Sequence, residues 1–125
     1  MHVLRNMVDA VTPGGLVFDL QVIRPDPTVE SDGAVVCEID GEPLFRRADA
    51  ATAAIDGLVR SHELVEQAVD DHYARKHYAN GTELVDDFAG NQRRLPERAL
   101  AELRRLTQPC VVRERCRLRR LRVRR

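Results

Sequence analysis

The hydrophobic pattern changes from helix-like to strand-like within the first 23 residues of the chain. Apolar residues first recur at helical spacing, at Val3, Leu4, Met7, Val8 and Val11. One apolar stripe of this kind predicts an amphipathic helix. The Pro-Gly-Gly sequence at positions 13–15 ends it, because proline lacks a backbone donor and glycine tolerates positive φ. Residues 16–23 are mostly apolar and rich in Val, Ile and Phe, which predicts a strand covered on both faces, as in parallel α/β sheets.

Turn-forming residues after this strand predict a small hairpin. Two prolines within residues 24–28 stop the strand, since closely spaced prolines favour an exposed, extended loop. Residues 34–39 predict a second strand, and Asp40-Gly41 is a dipeptide typical of tight hairpin turns. Residues 42–45 would then return as the partner strand, and the proline within them would confine that strand to a sheet edge.

The middle of the chain is rich in alanine and has helical spacing from residue 48 onward. Asp49 has the chemistry of an N-cap, and Ser61 marks the predicted end of this helix. Residues 63–78 also place apolar side chains at helical spacing, so periodicity alone favours another helix there.

Capping signals predict two further helices. Asn80, with Glu83 three residues later, resembles a capping box and predicts a short helix that ends near Phe88. Pro96 can open the next helix because its missing N–H costs nothing in the first turn. Pro109 ends that helix, and the final strand follows.

Residues 110–125 form a basic segment with the alternating pattern of a half-buried strand. They contain eight arginines and one glutamate, a net charge of +7, so the remainder of this neutral chain carries −7. The apolar positions change phase after Arg119-Arg120, which predicts a bulge. We expect the arginines to form a solvated face on an edge strand, where charge blocks aggregation. The basic segment could also attract nucleic acid or another anionic partner. Alternatively, the acidic remainder of the chain could neutralise its charge.

The early helix, its turn and the following strand together resemble a segment of a known family. The residues concerned follow the order Leu4-x-x-Met7-x-x-Ala10-Val11-x-Pro13-Gly14-Gly15-Leu16-Val17-Phe18. This order is similar to the late segment of class I S-adenosylmethionine-dependent methyltransferases, in which a helix leads through Pro-Gly-Gly into the fifth sheet strand. The resemblance implies a long antiparallel strand, roughly residues 72–78, before a small helix that opens at residues 80–84.

The resemblance implies a partial Rossmann-like methyltransferase sheet within a single α/β domain of residues 1–125. It would contain one buried strand after Pro-Gly-Gly, a small hairpin, helices and C-terminal antiparallel strands. The family holds its cofactor with a Gly-rich loop and an acidic strand end, and both would lie before Met1. We therefore expect no cofactor-binding residues in this chain alone, with S-adenosylmethionine implied only for a complete family member. The expected function is the substrate-side part of a methyltransferase-like protein that is not catalytic on its own.

Three polar residues are the candidates to face a substrate. In open α/β sheets, ligands bind beyond the carboxyl ends of the parallel strands, which selects Asp19, Gln21 and Arg24. Asp19 and Gln21 are two residues apart and should share one face of the strand. The alternative is that both bond to a covering helix or loop, since buried polar groups usually have partners. For Arg24 we expect a solvated loop residue rather than an anion clamp.

No metal site or catalytic residue can be identified from the spacing of the reactive side chains. His62 and Glu66 would supply only two ligands on a helix, and His72 and His77 diverge on either a helix or a strand. No arrangement of Ser, His and Asp or of Cys and His stands out. The cysteines form no Cys-x-x-Cys pair, so we expect reduced, partly buried thiols at Cys37, Cys110 and Cys116.

Two alternative functions remain open beside the methyltransferase-like one. The chain could be a small interaction or nucleic-acid-binding protein that uses the basic segment, although that segment contains no aromatic residue for stacking. It could also be a non-catalytic oligomeric scaffold. The exposed edge of strand 16–23 would then contact another copy, or in a methyltransferase the missing N-terminal half. We expect a cytoplasmic protein without a membrane partner, because no apolar run approaches the roughly 20 residues of a membrane span.

Overall fold

The computed structural model describes residues 2–89 and 94–124, and side chains in the first helix from Asn6 onward. The described helices are α1 (His2–Ala10), α2 (Glu42–Arg60), α3 (Gly81–Phe88) and α4 (Glu97–Arg105). The described strands are β1 (Leu16–Val22), β2 (Thr28–Ser31), β3 (Ala34–Glu38), β4 (Leu64–Tyr78) and β5 (Cys110–Val123). The fold is therefore α/β, and these five strands form one sheet.

The C-terminal strand β5 is the centre of this sheet. One side of β5 pairs with β4 along its whole length, from Val123 opposite Leu64 to Cys110 opposite Tyr78. Its other side pairs first with β2 and then with β1, and β3 pairs with the outer side of β2. All these pairings are antiparallel, so the expected parallel arrangement is absent among the described strands. The expectation that the arginine-rich strand lies at an edge is wrong, because β5 has partners on both sides.

Two hydrophobic cores lie on opposite faces of β5. Near the start of β5, Val112 packs into a core with Leu84 of α3 and Leu103 of α4. Near its end, Leu121 packs into a core with Val17 of β1 and Ile55 of α2. Even and odd positions of a strand point to opposite faces, so α3 and α4 cover one face of the sheet while α2 covers the other.

This change of covered face explains the phase shift of the apolar positions in β5. The predicted bulge in β5 is wrong, since β5 keeps a continuous register with β1. The irregularity lies in β4 instead, between Glu66 and Ala68, opposite Leu121 and Arg120. The shift of the apolar residues of β5 from even to odd positions therefore marks the point where one core ends and the other begins.

The early helix, Pro-Gly-Gly turn and strand are confirmed. Gly14 adopts a φ of +83°, which requires glycine or a strained residue. Val8 and Val17 are buried in the core beneath α2, whereas the side chains of Val3 and Leu4 lie outside the described part of α1. The expectation that the strand is covered on both faces is wrong, because Phe18 is 57% exposed and Leu20 60% exposed.

The small hairpin exists, but its position differs from the prediction. It joins β2 to β3 through Asp32-Gly33, whose φ values of 52° and 78° suit a tight turn with positive φ at both positions. Residues 42–45 form the first turn of α2 instead of a strand. Proline is favoured in a first helical turn, and the side chain of Asp40 accepts the Glu42 N–H at 3.0 Å. Asp49 therefore lies within α2 and is not its N-cap.

Residues 72–78 are extended as predicted, and β4 begins earlier, at Leu64. The helical spacing in this region does not produce a helix because its apolar residues are not buried together, and Val69 is 48% exposed. The capping-box-like start of α3 is confirmed with one difference, since Glu83 bonds to the residue before the N-cap and not to the N-cap N–H itself. Asn80 Oδ1 accepts the Glu83 N–H at 2.9 Å, and Glu83 Oε2 accepts the Ala79 N–H at 3.0 Å. The predicted helix after Pro96 is confirmed as α4.

Candidate functional site

Asp19 and Gln21 contact each other on the face of β1 that lies beneath α2. Gln21 Nε2 donates to Asp19 Oδ1 at 2.7 Å, so these side chains bond to each other and not to a covering helix. Asp19 Oδ2 is buried and has no hydrogen-bond partner within the described residues. The register places Asp19 opposite Arg119 and Gln21 opposite Arg117 of β5. The structure thus brings two of the three predicted residues together, next to the arginines of the central strand.

Arg24 forms a clamp between the loop after β1 and helix α2. Its guanidinium donates to both carboxylate oxygens of Asp49 at 3.0 Å and to Glu42 at 2.9 Å. The same group lies 5.1 Å from the centroid of the Phe45 ring. The hydrogen bonds from Arg24 lower the pKa of Asp49, and those to Asp49 and Glu42 raise the pKa of Arg24. The charge of Arg24 is therefore already paired.

A cleft of about 280 Å³ lies between the end of β1 and α2. Arg24 lines this cleft, and Arg117 of β5 lines its other side. The remaining lining residues are Val22, Ile23, Phe45, Ala48, Asp49 and Thr52. Half of the lining residues are apolar and half are polar or charged, and the charged ones are held in ion pairs. Asp19 and Gln21 precede the cleft along β1 and are not among its lining residues.

We define the arginine ladder as Arg113, Arg115, Arg117 and Arg119, whose side chains lie on the face of β5 that α2 partly covers. Its outer half is Arg113 and Arg115. Its inner half, Arg117 and Arg119, is paired with carboxylates. Arg119 is almost completely buried and forms ion pairs with Glu66 of β4 and Asp56 of α2. Burial by itself lowers the pKa of Arg119, but the hydrogen bonds to these carboxylates outweigh it, so the pKa is raised overall.

Arg117 makes the second of these inner contacts. It donates two hydrogen bonds to the carboxylate of Asp71, at 2.8 and 2.9 Å. These bonds lower the pKa of Asp71 and raise that of Arg117. The expectation of a merely solvated arginine face is therefore wrong for the inner half of the ladder, where the charges neutralise each other.

The outer half of the ladder packs against an aromatic ring that sequence reasoning missed. The guanidinium carbon of Arg113 lies 3.7 Å from the centroid of the Tyr73 ring, and that of Arg115 lies 5.4 Å from it. Tyr73 belongs to β4 and is directly opposite Arg115. The signal was hidden because the ring lies far from the arginines in sequence, and only the strand register brings them together.

The described histidine, cysteine and acidic side chains form no group of three or more that could hold a metal ion. The three cysteines are free, with Cys110 and Cys116 buried and Cys37 half-buried. Burial raises the pKa of Cys37 and of Cys110, so both thiols stay protonated at neutral pH. The described side chains of these types therefore supply no ligand set for a metal ion.

Comparison with family models, with curated proteins and with solved structures finds no match to this chain. Of the helices described, none is both long and apolar enough to cross a bilayer. Function therefore has to be inferred from the chain's own geometry.

Proposed function

We propose that this chain is the C-terminal, substrate-side part of a methyltransferase-like sheet, completed by a cofactor-binding half. The order of elements supports this assignment. A helix leads through Pro-Gly-Gly into β1, and a further helix, the long strand β4, the short helix α3 and the antiparallel C-terminal strand β5 follow. Because β1 and β4 are both antiparallel to β5, they run in the same direction on its two sides.

The observation that carries the proposal is the open edge of β1. Ile23 N–H donates to the Arg115 carbonyl at 2.9 Å, and Val123 N–H donates to the Gly15 carbonyl at 2.8 Å. Odd-numbered backbone groups of β1 therefore face β5, and even-numbered ones face the other edge. No other described strand pairs with that edge. It is lined by exposed apolar side chains, at Leu16, Phe18 and Leu20.

An edge with free backbone groups and exposed apolar side chains is a surface for strand addition. Contiguous apolar exposure of this kind marks an interaction site in a soluble protein. The strand that follows Pro-Gly-Gly in the proposed fold is an interior strand, which accounts for its apolar sequence. A partner strand would supply the missing backbone bonds, and the half that carries it would cover these side chains, which lie on the sheet face away from α2.

The residues present do not fit S-adenosylmethionine. The sequence contains no Gly-x-Gly-x-Gly loop, and the cleft beside Arg24 is rimmed by charges that already pair with each other. No step of methyl transfer is therefore assigned to residues of this chain. Asp19 and Gln21 remain candidates to face an acceptor, whose alignment with a methyl donor is mainly a matter of positioning.

Calorimetric titration of S-adenosylmethionine into the 125-residue chain tests the missing cofactor site. We expect no binding, because the family's cofactor-holding residues are not in the sequence. Tight binding by this chain alone would contradict the proposed division between a cofactor-binding half and a substrate-side half.

Sedimentation velocity over a range of concentrations tests the open edge. We expect the isolated chain to self-associate through β1, and Phe18→Glu to shift it to the monomer because a carboxylate cannot be buried there without a partner. Val69→Glu is the matched control, since it introduces the same charge at an exposed residue of β4. A chain that is monomeric at every concentration, with or without Phe18→Glu, would contradict the role of this edge.

A further inference from the structure

The outer half of the arginine ladder carries positive charge that the surrounding residues do not compensate. Arg113 of β5 is directly opposite Arg75 of β4. Like charges at directly opposed positions destabilise a sheet, so this pair has a cost. No carboxylate of the described residues forms an ion pair with Arg113 or Arg75. Arg115 makes one long ion pair with Asp71, at 3.7 Å, and Asp71 is bound more closely by Arg117, at 2.8 Å.

The same surface presents an aromatic ring. Tyr73 stands between the arginines on this face and is 38% exposed. The Arg113 guanidinium stacks on the ring and forms with it one broad surface. Aromatic rings and guanidinium planes are the two kinds of side chain on which unpaired nucleotide bases stack.

Carboxylates bound this surface on two sides. Asp71 lies two residues before Tyr73 on β4 and is occupied by Arg117. Glu30 of β2 lies beyond the start of the ladder, opposite Val111. The unpaired charge is thus confined to a short stretch of the open sheet face, and helix α2 covers the other end of that face.

We propose that Tyr73, Arg75, Arg113 and Arg115 form a binding surface for single-stranded nucleic acid. Phosphate groups would accept hydrogen bonds from the arginines. Among the described residues, the only ion pair that these arginines would have to break is the long one between Arg115 and Asp71. A base would stack on the exposed part of the Tyr73 ring. A duplex fits less well because its base faces are hidden in the stack, so the ring would gain no contact. This surface lies on β4 and β5, apart from the open edge of β1. The proposed binding does not require S-adenosylmethionine.

Fluorescence anisotropy with a labelled 12-nucleotide single strand, as DNA and as RNA, tests the proposal across a salt series. We expect binding that weakens steeply with salt. Tyr73→Leu should weaken it about tenfold through loss of stacking, and Tyr73→Phe should not. Arg113→Gln should reduce the slope of log affinity against log salt by about 0.7, the value for one phosphate contact. Arg122→Gln is the matched control, because Arg122 is exposed on the opposite face of β5.

The proposal is overturned if no single strand binds at low salt, or if Arg122→Gln weakens binding as much as Arg113→Gln. It is also overturned if heparin or anionic phospholipid vesicles compete as well as the single strand while Tyr73→Leu has no effect. Thermal melting by circular dichroism confirms that each variant is folded. If Arg113→Gln does not fold, Arg75→Gln replaces it at an exposed residue and must reduce the salt slope similarly. Failure here leaves the β1 edge unaffected, since that surface is tested by sedimentation.

Discussion

The two strands that flank β5, β1 on one side and β4 on the other, expose different kinds of side chain to solvent. β4 has an outer edge without a described partner, and its exposed positions are largely charged or polar. β1 has an open edge too, but its exposed side chains at Phe18 and Leu20 are apolar. Natural sheets protect free edges with charge, so β4 is suited to remain an edge whereas β1 is suited to be covered.

The two strands also attach to β5 by different interactions. β4 contributes Glu66 and Asp71, which bind Arg119 and Arg117 of the ladder. β1 contributes Val17, which packs with Leu121 in the core beneath α2. The β4 side therefore depends partly on charge, and the β1 side depends on apolar burial. Substitutions and pH should separate the two.

Leu121→Ala should produce the largest effect, because this side chain is completely buried at the point where β1 and β4 both pair with β5. We expect a loss of about 2–5 kcal/mol in the free energy of unfolding, from lost transfer energy and the cavity left behind. Leu20→Ala is the control at a leucine that is 60% exposed in the monomer, and it should change the stability of the monomer by no more than about 0.5 kcal/mol. Urea unfolding of both variants in the monomeric Phe18→Glu background measures the difference, and equal losses there would contradict the exposure of Leu20.

Arg119→Met should have an intermediate effect. The substitution keeps much of the side-chain volume but leaves Glu66 and Asp56 without their common partner. We expect a loss of about 1–3 kcal/mol, the cost of leaving charged hydrogen-bonding groups unsatisfied. Arg117→Met is the control, since its ion pair is more exposed and should contribute about 0–1 kcal/mol. If the control is the more damaging variant in urea unfolding, the inner ion pairs do not hold β4 as described.

Much of the order of elements could be predicted from local signals. Three signals each act within a few residues and are confirmed: Pro-Gly-Gly before β1, the N-cap at Asn80 and the proline before α4. Asp40-Gly41 was misleading because an Asp-Gly dipeptide suits both a hairpin turn and the start of a helix, and the proline that follows decides for the helix.

The sheet order and the surfaces could not be predicted, because they depend on pairing between distant residues. The basic strand reads as a charged edge when taken alone, and only the acidic residues of β4 make an interior position tolerable for Arg117 and Arg119. The Tyr73 ring likewise becomes a neighbour of Arg113 only through the β4–β5 register. Asp19 and Gln21 could be placed on one face from alternation, but their mutual hydrogen bond could not.

Acidification should produce the smallest effect on the β4 side of β5, through the pair of Asp71 with Arg117. The hydrogen bonds from Arg117 hold the pKa of Asp71 below its ordinary value of 3.8. Because the folded-state pKa is depressed, the stabilisation is fully present above that ordinary value and is lost as pH falls through the folded-state pKa. Arg117 stays charged throughout, so protonation of Asp71 alone breaks the pair.

Asp71→Asn removes this titrating carboxyl group. The difference between wild type and variant therefore reports Asp71 alone and not the similar pair of Asp49 with Arg24. We expect the variant to be slightly less stable than the wild type at neutral pH and to approach it as pH falls below about 4. Urea unfolding between pH 7 and pH 3 measures this convergence, and the apolar contacts of β1 should contribute nothing to it. A constant difference at every pH would mean that the Asp71–Arg117 pair does not stabilise the β4 side in water, and the contrast between the two strands would then rest on the Arg119 pairs alone.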